Sequence, residues 1–249
     1  MVQKLPKAAP DQPAAPAAVL PSVRPSGRPS VQPAVQAKAA RGRPRAYDPQ
    51  DALNRATAAF WRAGYSATSL DALSEATGMN RPSLYGAFGD KRALYLATLE
   101  RYTGLGRAAM QAALAPGHPL PDSLMRVYDT ALDFYFPFGE TAHGCFLIGT
   151  AATESVTDEE VRARLADGLR EFDHQFELRF KRAQAEGEIG IETKPAMLAK
   201  LASAILHTLA LRSRAGDTRA TLRATALAGV GMICGKAPKA PQQAIAKRR

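Results

Sequence analysis

"TGMNRPSLYGAFGDKRAL", residues 77–94, sets a glycine between two short apolar-patterned segments, then an Arg81-Pro82 pair, then Leu84 and Phe88 four residues apart, then a Gly89-Asp90 step. Gly78 supplies the positive φ that a tight turn needs. Pro82 suits the first turn of a helix, where backbone N–H groups lack intrahelical partners anyway. A helix therefore starts at Asn80 or Arg81 and carries Leu84 and Phe88 on one side until Gly89 breaks it. Asp90 caps a further helix running through Leu94, Ala97 and Arg101. Upstream, Thr68 followed by Asp71 resembles a capping box and opens a helix with Leu70 and Leu73 turned inward. Before that, Asp48 caps a helix with Pro49 in its first turn and Leu53, Ala56 and Phe60 on its apolar face, ending at Gly64.

Two short helices joined through a glycine turn form a helix-turn-helix, whose second helix enters the DNA major groove by its leading end. Arg81, Pro82 and Ser83 occupy that end. Arginine can read guanine O6 and N7 with two hydrogen bonds or hold a phosphate, and serine can do either more weakly. The Tyr85 hydroxyl suits a phosphate oxygen. Lys91 in the next helix's first turn, and Thr68 at the start of the preceding one, can meet the backbone anion. The competing reading makes Tyr85 and Phe88 core aromatics, and helical periodicity favours it for Phe88 more than for Tyr85.

Beyond residue 104 the pattern stays helical, with segments near 105–115, 122–136, 145–154, 158–186, 195–214 and 218–234 and Pro/Gly breaks between them. No period-2 strand or internal repeat interrupts them, so the 249-residue chain reads as all-α. Its formal charge of +10 is unevenly spread. Residues 1–46 hold eight Lys/Arg against Asp11 alone, and residues 236–249 hold five basic residues and no acid, which leaves the body at −2. Both ends, the first rich in Ala and Pro, read as disordered basic tails. Two cysteines in no metal-binding spacing, no secretory leader and no apolar run of ~20 residues fit a reduced, cytoplasmic protein without metal, cofactor or membrane anchor.

The run from Ala52 to Tyr102 resembles the DNA-binding region of the TetR family of bacterial transcription regulators. Phe60-x-x-x-Gly64-Tyr65, Thr68-Ser69-Leu70, Gly78-Met79 and Leu84-Tyr85-x-x-Phe88-x-x-Lys91-x-x-Leu94 carry the likeness. The segment from His143 to Glu154 is similar to one in some members' ligand-binding domains. The resemblance implies a three-helix helix-turn-helix domain over 47–93 and a helical effector-binding and dimerisation domain over 94–235. It further implies a homodimer on a palindromic double-stranded operator, released by a small molecule, with DNA contacts at Thr68, Arg81, Pro82, Ser83, Tyr85 and Lys91. Gly86 and Ala87 stand where members often carry larger polar residues, so a contact there is missing.

Residues 47–93 contain five basic and five acidic side chains, a weak electrostatic hold on DNA by themselves. The preceding Arg41-Gly42-Arg43-Pro44-Arg45 resembles an AT-hook core, so Arg41, Arg43 and Arg45 are candidates for a minor-groove arm, against a generic basic linker. In the C-terminal part, apolar positions at helical spacing over 195–214 and 218–234 suit either a self-contained pair or an intersubunit four-helix bundle. Phe134, Phe138, Cys145, Phe146, Phe172, Phe176 and His207 are candidate lining for an effector pocket, although aromatic residues of this kind mostly build cores. Cys145 near a helix start is a candidate low-pKa redox thiol, against the commoner role of a small buried apolar residue. No nucleophile, base and oxyanion constellation emerges. The rival class is a helical binding or catalytic protein with a vestigial helix-turn-helix.

Overall fold

The structure, a computed structural model, describes residues 47–137 and 142–235. The candidate arm residues Arg41, Arg43 and Arg45, the candidate pocket residue Phe138 and both basic tails lie outside the described residues. Among the described residues nine α-helices follow one another: α1 Pro49–Ala63, α2 Leu70–Thr77, α3 Arg81–Phe88, α4 Lys91–Ala113, α5 Leu120–Tyr135, α6 Ala152–Glu154, α7 Glu159–Ala185, α8 Pro195–Arg214 and α9 Arg219–Ile233. A π-helical turn, Leu147–Ala151, leads into α6. No strand occurs among the described residues, as the all-α reading expects.

The caps explain the short N-terminal helices. Asp48 accepts the Gln50 N–H at the start of α1, Asn80 accepts the Ser83 N–H at α3, and Asp90 accepts the Ala93 N–H at α4. Gly78 ends α2 in the left-handed conformation at φ +68°, the feature that makes the turn. One cap differs from expectation. Ser69, not Thr68, accepts the Ala72 N–H, and Thr68 is buried with its hydroxyl donating to the Gly64 carbonyl at 2.5 Å.

α4 is one helix of 23 residues, where the sequence pattern divides near Gly104. Gly104 and Gly106 remain helical because packing of the surrounding apolar face outweighs the helix cost of glycine, about 1 kcal/mol each. Gly106 faces the Phe172 ring, with space there for only a small side chain. α4 packs on α1 and α3 of the N-terminal unit and on α5 and α7 of the remainder. No linker separates the two halves, and the expected boundary at 93/94 falls inside its first turns. Its far end is fastened to α7: the Arg182 guanidinium donates to the Leu114 carbonyl at 2.6 Å. Next to it Arg179, 1% exposed, donates to the carbonyl of His118 at 3.1 Å and to Glu188 Oε1 at 2.6 Å.

Candidate nucleic-acid interface and effector cavity

α3 presents a face built for contact. Leu84 is buried and Phe88 packs half-buried against the core, while Arg81, Pro82 and Gly86 are exposed and Ser83 is partly so. Tyr85 is 45% exposed, so its ring belongs to the surface and not to the core. Nothing lies within 4 Å of where a side chain on Gly86 would begin, which leaves a smooth spot in the middle of this face. Arg81 leans back on α2: its Nε and Nη2 both donate to Asp71 Oδ1, at 3.0 and 2.6 Å. The Asp71 hydrogen bond and charge raise the already high pKa of this guanidinium. Lys91 holds its ammonium 4.4 Å from the centroid of the Tyr65 ring, a cation–π contact, and partial burial lowers its pKa.

Thr68 drops out of the exposed set. With its side chain buried and its hydroxyl committed to the Gly64 carbonyl, it stabilises the α1–α2 turn. The neighbouring Ser69 takes the cap because the backbone turns helical at Leu70, one residue later than the Thr68/Asp71 spacing indicates.

The reading half is bonded to the rest through several direct links. Trp61 of α1 donates its indole N–H to the His143 carbonyl at 2.9 Å. Tyr95 of α4 donates to Thr150 Oγ1 in the π-helical turn at 2.8 Å, and Ser66 donates to Glu154 at 3.0 Å. Burial pushes the Tyr95 hydroxyl up to about 12, so it stays a donor. Arg92 in the first turn of α4 grips the α7 cap Asp158 with two hydrogen bonds, 2.6 and 2.9 Å, and reaches Glu160 at 3.0 Å. The Arg92 hydrogen bond, aided by the Val161 N–H, lowers Asp158 to about 2. Between these links sits an aromatic cluster: the Trp61 ring lies 5.3 Å from Tyr102 and 5.8 Å from Phe146, and Phe60 lies 5.1 Å from Tyr95.

Directly behind that cluster a cavity of about 50 Å³ opens between α4, α5, α7 and α8. Of the candidate pocket residues, Phe134, Cys145 and Phe172 line it; Tyr102, Tyr135 and Leu206 complete its wall. Phe146 and Phe176 do not. Phe146 is fully buried inside the aromatic cluster, and Phe176 is fully buried against Tyr128, rings 6.2 Å apart. His207 is half-buried behind Phe172, ring centroids 6.1 Å apart, and burial lowers its pKa. The Cys145 thiol is raised, not lowered. It is buried at a π-helical entry, the Tyr102 hydroxyl donates to its Sγ at 3.5 Å, and desolvation outweighs the nearby N–H groups.

Periodicity left other features unread. Gly144, at φ +66°, and Gly149 lie under Arg214 of α8, whose Nη1 donates to the Gly149 carbonyl at 2.8 Å. The only signal was the pair of glycines in an otherwise helical pattern. Among the described residues no group of three or more His, Cys, Asp or Glu could hold a metal ion, and no helix is long and apolar enough to cross a membrane.

An exposed recognition helix held by a glycine turn, on a long helix whose other end walls a cavity, defines a helix-turn-helix transcriptional regulator. The model of the bacterial regulatory proteins of the tetR family matches residues 52–98, and that of the tetracyclin repressor-like C-terminal domain matches 122–228. The chain is 32% identical over 179 residues to the HTH-type transcriptional repressor ComR of Escherichia coli (strain K12), covering 72% of this chain and 85% of ComR. A cysteine mutant of the TetR family regulator CifR, solved with 26 bp double-strand operator DNA, superposes with a TM-score of 0.68 at 29% identity, over 76% of this chain and 98% of that one. A TetR family regulator from Cytophaga hutchinsonii shares the fold, with a TM-score of 0.67 at 22% identity, over 77% of this chain and 95% of that one.

This chain belongs to the TetR family of transcriptional regulators. That assignment sets aside the rival reading of a catalytic protein with a vestigial helix-turn-helix.

Proposed function

We propose that the protein is a repressor that binds a palindromic operator as a homodimer and is released by a small-molecule effector. Arg81, Pro82, Ser83 and Tyr85 face the major groove, and Lys91 meets a flanking phosphate. The basic segment with Arg41, Arg43 and Arg45 supplies charge that the neutral 47–93 unit lacks. The observation that carries this reading is the span of α4, which bears Lys91 at one end and the cavity residues Tyr102 and Met110 towards the other. A ligand that displaces α4 alters the separation of two recognition helices, which must stay near ~34–36 Å for both to dock.

The dimer surface is supported by an exposed stripe at helical spacing on α8. Met197, Leu201 and Leu211 recur along one face, and Leu227 on α9 adds to it. On the same two helices Leu209, Leu222, Ala226 and Val230 are buried within the subunit.

Retardation of the DNA upstream of the protein's own coding sequence tests the regulator. Specific retardation lost in Arg81→Ala and weakened in Tyr85→Phe is expected; equal binding to unrelated DNA overturns the reading. Sedimentation of Leu201→Lys/Leu227→Lys tests the dimer, with a shift to monomer expected. Removal of residues 1–45 is expected to flatten the dependence of log K on log salt, and an unchanged slope rejects the arm.

A further inference from the structure

The walls of the cavity restrict what it can hold. Among the described residues no Asp, Glu, Lys, Arg or His lines it; the surface is ring carbon from Phe134, Phe172 and two tyrosines, with Met110 and Leu206. Among the described residues its ionisable groups are the Tyr102 and Tyr135 hydroxyls and the Cys145 thiol, and burial pushes all three towards their neutral forms. A charged guest would surrender its hydration and meet no counter-charge, a cost far above what the apolar wall returns. The cavity does offer a polar handle. The Tyr135 hydroxyl reaches the Leu206 carbonyl at 3.5 Å, the outer limit of a hydrogen bond, and Tyr102 donates only to sulfur. Either can turn to an acceptor on a guest.

Size narrows the class further. A volume of about 50 Å³ is far below the ~300–1,000 Å³ of sites for drug-sized molecules and about a third of the ~150 Å³ cavity that takes up benzene, so a single ring is the upper limit and enters only as the lining side chains give way. We propose that this cavity selects small, uncharged, single-ring or comparably compact apolar molecules carrying at most one hydrogen-bonding group, and excludes their ionised isosteres. The inference takes the cavity as the effector site and adds its chemical class.

The single tryptophan provides the readout, since the Trp61 ring stands 5.3 Å from the cavity residue Tyr102. Full-length protein is titrated with toluene, benzyl alcohol, benzoate and benzylammonium, with Trp61 emission followed under selective excitation. A saturable change is expected with toluene and benzyl alcohol, tighter for the alcohol, and at least about tenfold weaker binding by the two ions. Ala131→Leu and Ala109→Leu, each extending a side chain into the cavity, are expected to abolish the response. Ionic probes binding as well as neutral ones, no saturable response to either neutral probe, or a response that survives both fillings overturns the proposal. In parallel, anisotropy of labelled operator DNA reports release. Neutral probes that bind without releasing DNA uphold the class of ligand and overturn the effector role.

Discussion

The indole N–H of Trp61 and the backbone carbonyl of His143, 82 residues apart in sequence, meet at 2.9 Å and join the first helix of the DNA-reading unit to the strand of chain that enters the cavity wall at Cys145. Trp61→Phe keeps most of the ring packing but leaves that carbonyl without its indole donor. A loss of about 1–2 kcal/mol is expected, measured by urea denaturation followed by circular dichroism. If the pair also transmits ligand binding, the variant needs more ligand to release DNA than the parent does.

Asp71 and Arg81 make the second test. In the free protein the Arg81 guanidinium is paired with its neighbour on α2, so the proposed contact of Arg81 with a base or phosphate requires DNA to displace a carboxylate. Asp71→Asn removes that competitor. Affinity for unrelated DNA is expected to rise several-fold, with a smaller rise for the operator, so that the ratio between them narrows. A titration at fixed salt checks it.

Two glycines beneath Arg214 respond differently. A Cβ on Gly144 would stand 2.6 Å from the Ala210 carbonyl oxygen on a backbone at φ +66°. Gly144→Ala is therefore expected to cost about 2–4 kcal/mol. A Cβ on Gly149 meets only the mobile tip of Arg214, which can swing aside at the cost of one exposed hydrogen bond. Gly149→Ala is expected to cost about 1 kcal/mol or less. Thermal unfolding of the two variants side by side decides the order.

Acidification tests the two half-buried imidazoles, His143 and His207. Burial lowers the pKa of His207, opposed in part by Asp173, and burial with Arg62 and Arg214 lowers that of His143. Each folded-state pKa lies below the ordinary value near 6.5, so below that pH the unfolded chain binds more protons than the folded one. Stability is expected to fall as pH drops from about 7 through 6.5 and to go on falling until the folded-state values are passed. The melting temperature of His207→Gln should depend less on pH over that range.

Local chemistry made the DNA-reading half legible. Asp48, Asn80 and Asp90 cap where their side chains permit, and Gly78 turns where only glycine turns cheaply. The fold class followed from the same signals. What stayed hidden depends on contacts between distant segments. Whether Phe146 faces the cavity or the Trp61 cluster is decided by how the π-helical turn rotates it, and a 3.6-residue pattern carries no trace of that turn. Gly104 and Gly106 read as a break, because the packing partner of Gly106, the Phe172 ring, comes from the distant α7. Arg179 resembles any charged position on a long helix until the loop carbonyl of His118 closes over it.

Those two arginines of α7 have a mechanical consequence. With Arg182 clasping the last turn of α4 and the buried Arg179 anchoring the loop behind it, the rear of that rod, about 35 Å in length, is pinned to α7, while its front meets the same helix through the half-exposed side chain of Arg92. Under the proposed release mechanism, a push delivered midway, at Tyr102 or Gly106, meets the stiffer hold at the rear, so the tip beside Tyr65 takes the larger share of the movement.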